Sequence, residues 1–306
     1  MKMTEAINLF LQSRSAMDVS DRTLGDYDLF LKVVKREGER IGISEVEEYD
    51  EIFIRKFIII QKDKGLSSYT LNHHWRRFKT FFRFLFDNGY VTFNPINMVA
   101  KPQIKKRAPR VFDTDEIFKM MNVFSGQDFI SIRNRTIIYT LFSTGLRLTE
   151  FSNLSMSDLD FYHLRIYVIG KGNKERYIPI GKQLENFLKQ YLRRREGYLN
   201  ECCTVKVSPF VFIQVGGGKL SQWDVRRMFL TIKHDCGISG RKVSPHTWRH
   251  TFATNYVRNG GDIRSLQMIL GHSSMKTTEM YLTLSSEMLR EQNTKFNPLD
   301  NMKWRY

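Results

Sequence analysis

Residues 100–110 read Ala-Lys-Pro-Gln-Ile-Lys-Lys-Arg-Ala-Pro-Arg, and this stretch restricts the fold more than any other. Pro102 and Pro109 each lack the backbone N–H that a helix or a central strand would use. The five Lys/Arg residues repel one another, and too few apolar residues accompany them to anchor the segment in a core. It reads as a basic linker. The 306 residues therefore divide into one domain over 1–99, the linker over 100–110 and a second domain over 111–306.

The first domain reads as a bundle of short helices. Thr4 is placed to cap a helix carrying Ala6, Ile7, Phe10 and Leu11 at helical spacing. Ser20 or Thr23 precedes a second, with Leu24, Tyr27, Leu31 and Val34 on one face. Ser67 and Ser68 precede a long third helix, with Leu71, Trp75, Phe78, Phe81, Phe82 and Leu85 turned inward and Asn88-Gly89 at its end. Its other side carries Arg76, Arg77, Lys79 and Arg83. Asn94-Pro95 opens a further short element.

In the second domain Asp113 or Thr114 caps a helix through Ile117, Met120 and Met121. A helix follows from about Ser131 to Phe142, and another opens near Thr149. Leu164–Ile169 and Tyr177–Ile180 read as strands around a polar turn, with Pro179 putting the second at an edge or near an end. After a helix through Leu184, Leu188 and Leu192 the chain reads as mostly helical. The class expected is mainly α with a small antiparallel β-sheet, an N-terminal helical bundle joined to an α+β domain.

Charge narrows the partner. The chain carries 48 Lys/Arg against 32 Asp/Glu, a formal net of +16. Residues 1–108 hold 19 Lys/Arg and 14 Asp/Glu, a net of +5, which leaves +11 for the rest. Both parts are basic, which suits a polyanion. Arg76, Arg77, Lys79 and Arg83, with Lys105, Lys106 and Arg107 of the linker, are the candidate contacts to a nucleic-acid phosphate backbone. There is no apolar run of about 18 residues to span a membrane, and the N-terminus shows no signal-peptide core, so a cytoplasmic location is expected. Cys202 and Cys203 are adjacent and Cys236 stands alone, which is neither a disulfide framework nor a zinc spacing.

Reactive side chains gather in five short segments. These are Thr144–Glu150 (Thr-Gly-Leu-Arg-Leu-Thr-Glu), Gly170–Arg176 (Gly-Lys-Gly-Asn-Lys-Glu-Arg), Ser244–His250 (Ser-Pro-His-Thr-Trp-Arg-His), Leu270–Ser273 (Leu-Gly-His-Ser) and Tyr281. Ser244 and Pro245 are a good N-cap and first helical residue, so His246 and Arg249 fall three apart in the first turn of a helix. The free N–H groups of that helix end and the Arg249 fork suit an anion. Asp262 caps a helix with Ile263, Leu266 and Leu270 inward; Gly271 stops it and presents His272. Arg147 lies between a glycine and a helix, and Lys171 sits at a hairpin tip. His246 and His250 have metal-ligand spacing, but Thr247 stands where a zinc-protease motif needs Glu, and no metal is expected. Gly216-Gly217-Gly218-Lys219 is followed by Leu220 where a phosphate loop needs Ser or Thr, so it reads as a turn.

In this order and spacing the segments resemble the tyrosine recombinase (phage integrase) family, most closely its compact Xer-like members. The resemblance rests on Arg147 in Thr-Gly-Leu-Arg, Lys171 in a hairpin, His246 and Arg249 in His-x-x-Arg, His272 in Leu-Gly-His, and Tyr281 nine residues later. It implies a helical core-DNA-binding domain followed by a catalytic domain that exchanges DNA strands through a 3′-phosphotyrosyl link. By that resemblance Tyr281 is the nucleophile, Arg147 and Arg249 with His272 stabilise the non-bridging oxygens, Lys171 protonates the leaving 5′-oxygen, and His246 helps to move the phenolic proton. Neither ATP nor any other cofactor is implied. The partners implied are double-stranded DNA and the chain itself, as a tetrameric synapse; a partner recombinase or accessory proteins are compatible with it. Beyond Tyr281, Leu282, Leu284, Met288 and Leu289 form an apolar tail segment that docks either on its own domain or, as in the family, on a neighbouring subunit. A type IB topoisomerase shares the chemistry, and a non-enzymatic DNA-binding factor could share the scaffold. The separate Leu-Gly-His segment argues against the first and the complete set of six reactive residues against the second.

Overall fold

The computed structural model describes residues 1–104, 111–170, 172–239, 243–282 and 295. They divide into two compact units, Met1–Arg107 and Ala108–Tyr306.

The first unit is built from α1 (Met3–Ala16), α2 (Asp21–Glu39), α3 (Glu51–Asp63) and α4 (Ser68–Asp87). Caps explain two of the four starts: Asp50 accepts from the Phe53 N–H at 2.8 Å, and Ser67 accepts from the Thr70 N–H at 3.2 Å. α1 departs from the expected Thr4 cap. It starts at Met3 because Lys2 bridges in antiparallel fashion to Glu45 and the Met3 N–H donates to the Ser44 carbonyl at 2.9 Å, a tertiary tie that replaces a local cap. α3 has no counterpart in the periodicity. Ile52, Phe53, Ile54, Phe57, Ile58, Ile59 and Ile60 form a nearly continuous apolar run, and only Phe53, Ile54 and Phe57 are buried among them. The core is aromatic: Phe78 stands edge-on to Phe30 and Phe57 at 5.1 and 5.4 Å, and Phe10 edge-on to Phe81 at 5.4 Å.

The second unit runs α5 (Thr114–Asn122), α6 (Phe129–Thr144), α7 (Leu148–Asn153), β1 (Leu159–Asp160), β2 (Arg165–Ile169), β3 (Glu175–Pro179), α8 (Lys182–Cys202), α9 (Gln222–Asp235), α10 (Pro245–Arg258), α11 (Ile263–Leu270) and α12 (Met275–Thr278). A 3-10 turn, Glu279–Tyr281, follows. The expected class holds: mainly helical, with a small antiparallel sheet of order β1-β2-β3 among the described residues. β3 begins two residues before the expected Tyr177, and Pro179 is the last residue of this edge strand. Residues 216–219 form a turn, with Ile213 bridged to Lys219. Trp248 of α10 is fully buried against Phe112 and Phe142, at 5.2 and 5.4 Å between ring centroids. Truncating such a residue to Ala costs about 3–5 kcal/mol, so Trp248 anchors α10 to the core of this unit. Among the described residues no helix is long and apolar enough to cross a membrane.

Candidate active site

Two helix ends and one helix start converge to make the site. α6 stops at Gly145 and α11 at Gly271, both in the left-handed region at φ 59° and 62°. A Cβ on Gly145 would lie 2.5 Å from Phe252, so that position needs glycine for space as well as for its φ, while one on Gly271 would make a tight 3.0 Å contact with the end of the Arg176 side chain. α10 starts with Ser244 accepting from the Thr247 N–H at 3.3 Å and Pro245 in the first turn.

Arg249 points from α10 into the gap between the two helix ends. Its Nη1 donates to the Gly145 carbonyl at 2.6 Å and its Nη2 to the Leu270 carbonyl at 2.7 Å. Charged hydrogen bonds of this kind are worth roughly 1.5–3 kcal/mol each, so they fix the side chain. They do not neutralise it, since both acceptors are uncharged. The residue is 4% exposed, and its pKa is pushed down to about 10, first by burial and then by Arg147.

Arg147, the N-cap of α7, donates through Nη1 to Glu150 at 2.8 Å and through Nη2 to the Gly271 carbonyl at 3.1 Å. Glu150 is buried and takes two further bonds, from Arg176 Nη1 and Nη2 at 3.0 and 2.9 Å. Burial raises the Glu150 pKa, but the Arg176 and Arg147 bonds outweigh it and hold the carboxyl below its ordinary value. Three guanidiniums thus face one carboxylate, an excess of two positive charges. A cleft of about 790 Å³ opens here, lined by Arg147, Lys174, Arg176, Gly271 and His272 among others. His272 lies on it with Nδ1 at 3.0 Å from Thr278 Oγ1. Burial, followed by Arg249 and Arg147, pushes its pKa down to about 4. It is therefore neutral at pH 7, and in the tautomer in which Thr278 donates to Nδ1 the Nε2–H is free to meet an anion.

Tyr281 is 5% exposed and packs with Ala253, Val257, Leu266 and Leu270. Its hydroxyl lies 2.8 Å from His250 Nδ1, and His250 Nε2 lies 3.0 Å from His246 Nε2. Burial raises the phenol pKa, with Arg249 pulling the other way. His246 and Arg249 share the first turn of α10 but not their surroundings: Arg249 is buried between two helix ends, while His246 is exposed and meets the residue one turn on.

The structure therefore places Arg147 and His272 on one cleft, buries Arg249 beside them between the ends of α6 and α11, and joins Tyr281 to His246 through His250. Lys171 lies outside the described residues, as do Lys105, Lys106, Arg107 and the tail from 283 apart from Lys295. Arg76, Lys79 and Arg83 are exposed on α4 and line a groove of about 610 Å³ with Arg14 of α1. Arg77 turns away from them, over the Phe30 ring at 5.4 Å. Sequence reasoning assigned no role to Glu150, Arg176 or Arg14, and weighed His250 only as a metal ligand. Glu150 stands three residues after its N-cap, the capping-box position, which was the available signal.

Residues 110–288 match the phage integrase family. A tyrosine recombinase XerC of Thermodesulfovibrio yellowstonii is 34% identical over 256 residues, 83% of this chain and 84% of the relative. A XerC of Pediococcus pentosaceus is 30% identical over 301 residues, 96% of this chain and 98% of the relative. Among solved structures, the Tn1549 transposon integrase in complex with transposon right end DNA shares the fold at a TM-score of 0.77, with 19% identity over 97% of this chain and 99% of that one. With a family match over more than half its length and near full-length relatives at 30% identity and above, this chain belongs to the phage integrase family, as one of its Xer-like tyrosine recombinases.

Proposed function

We propose that this recombinase cuts and rejoins double-stranded DNA with Tyr281 as its nucleophile. The observation that carries this is Arg249: a buried guanidinium held between two neutral carbonyls, beside Arg147 and next to a cleft whose wall carries surplus positive charge. A phosphodiester resists attack because negative charge builds on its non-bridging oxygens in the transition state. Arg147 meets that charge from the cleft wall with the buried Arg249 charge behind it, and His272 adds a neutral donor. Tyr281 forms a bond to phosphorus and the P–O5′ bond breaks, with the departing oxygen taking a proton from Lys171 and His246 accepting the phenolic proton. The phosphotyrosine keeps the energy of the broken bond, so the rejoining step is near balance. The family requires neither metal nor ATP.

The N-terminal unit serves as a core-DNA-binding domain, with Arg76, Lys79 and Arg83 on the phosphates and Arg77, turned over Phe30, contributing least. The linker residues Lys105, Lys106 and Arg107 belong to the same basic set. Strand exchange joins two duplexes, so four copies assemble on DNA in the cytoplasm. The test starts by letting the protein select its site from a pool of random duplexes. On a nicked duplex bearing the selected site, a denaturing gel should show protein joined to a 3′ end, with a free 5′-hydroxyl released. Stable binding with no covalent product would contradict the proposal.

A further inference from the structure

We propose that His250 is the proton relay of the cleavage step, carrying the Tyr281 proton to His246. This deepens the assignment of Tyr281 as nucleophile and rests on it.

The geometry is a chain of three groups in contact. Tyr281 Oη lies 2.8 Å from His250 Nδ1, and His250 Nε2 lies 3.0 Å from His246 Nε2. The ring centroids of His250 stand 5.6 Å from Tyr281 and 4.3 Å from His246. Both nitrogens of His250 are thus engaged, and only one arrangement of protons lets a buried phenol lose its own. The phenol donates to Nδ1, so the neutral His250 ring carries its proton on Nε2 and donates that to Nε2 of His246, which accepts and holds its own proton on Nδ1.

Burial runs in the same direction. Tyr281 is buried, His250 half-buried and His246 exposed, so the chain leads from the reacting oxygen to solvent. The groups around His250 are His246 and Arg249 on its own helix, Tyr281 from the turn at 279–281, and His272, which senses its charge. Burial, then His246, then Arg249, pushes the His250 pKa down to about 4. A ring that resists holding a positive charge is a poor final acceptor, but a suitable conductor. As Tyr281 Oη bonds to phosphorus, its proton moves to His250 Nδ1 while the Nε2 proton of His250 moves to His246. His250 ends neutral with its tautomer exchanged, and His246 ends as the imidazolium. The 5′-oxygen leaves with its electron pair and is protonated separately, so charge and protons balance.

His250→Asn separates relay from placement, because the amide can still bond the phenol but cannot pass a proton through. Cleavage of the selected nicked duplex is timed in single turnover from pH 6 to 9.5, with binding measured in parallel. The expected result is unchanged binding and a loss of roughly 100-fold near pH 7, the scale of lost acid–base assistance. The variant should then gain about tenfold per pH unit as hydroxide takes over, while the parent profile stays flatter. Replacing Tyr281 with 3-fluorotyrosine, a more acidic phenol, should recover part of the loss in His250→Asn and change the parent little. Parallel pH profiles, no fluorotyrosine recovery or an undiminished rate would each overturn the relay. Tyr281→Phe in the same assay keeps the two ideas apart: an adduct that persists there removes the nucleophile and the relay together, whereas a dead Tyr281→Phe with parallel profiles removes the relay alone.

Discussion

Glu150 holds Arg176 by two hydrogen bonds, at 3.0 and 2.9 Å, with only 3% of the Glu150 side chain exposed. The same carboxylate takes Nη1 of Arg147 at 2.8 Å and the Arg147 N–H at 2.8 Å. One buried anion therefore sets the position of two guanidiniums and the start of α7. Removing one partner of a buried pair leaves the other charge unpaired, which costs about 3–5 kcal/mol. Glu150→Ala should lose stability on that scale in denaturant melts. Cleavage should fall further than DNA binding, because Arg147 loses its anchor but keeps its charge. An unchanged midpoint together with normal cleavage would show that the Glu150 bonds are dispensable.

Local chemistry made much of this site legible. Ser244-Pro245 and Asp262 announce helix starts within four residues, and Gly145 and Gly271 announce stops, so the placement of Arg147, Arg249 and His272 could be read from neighbours in the chain. Glu150 and Arg176 lay in the quoted segments, yet their bond spans 26 residues and forms only when β3 reaches α7. His250 was hidden differently. Its spacing from His246 suggested a metal pair, and its partner Tyr281 is 31 residues away. α3 was hidden because an almost unbroken apolar run has no period to read.

Lys171 is assigned the protonation of the departing 5′-oxygen. Lys171→Ala should slow cleavage by roughly 100-fold or more with little change in binding. A substrate with sulfur at the 5′-bridging position leaves as a thiolate and needs no proton. It should restore much of the rate in Lys171→Ala and not in Arg147→Ala, since Arg147 serves the non-bridging oxygens. Lys174, which lines the cleft, is the rival. Sulfur rescue of Lys174→Ala with Lys171→Ala left slow would reverse the assignment.

On α4, Arg76, Lys79 and Arg83 share an exposed groove with Arg14. Each phosphate contact adds about 0.9 to the slope of log affinity against log salt. Replacing the three with Gln should lower that slope by roughly 3 and weaken binding to selected and unrelated duplexes alike. Arg77→Gln should change the slope least, because its guanidinium lies over Phe30. Identical slopes in the parent and the triple variant would place the phosphate contacts elsewhere.

Acid should unfold the protein through its half-buried imidazoles. His74, His250 and His272 are each pushed from 6.5 down to about 4, first by burial. Between those values the unfolded chain binds protons that the folded chain refuses, so stability falls as pH drops from about 6.5 to about 4. Chemical denaturation at pH 7, 5.5 and 4.5 measures it. His74→Phe, which removes the imidazole among Phe30 and Phe57, should make the loss shallower. Equal stability at all three pH values would contradict the assigned burial.

The covalent bond to DNA tests the account most directly. The protein is trapped on its selected nicked duplex, digested with protease, and the peptide carrying the nucleotide is identified by mass spectrometry, in parallel with Tyr281→Phe. The account predicts a nucleotide on Tyr281 in the parent, and in the variant normal binding with no adduct at all. A nucleotide on any other residue, or an adduct that survives in Tyr281→Phe, would contradict it.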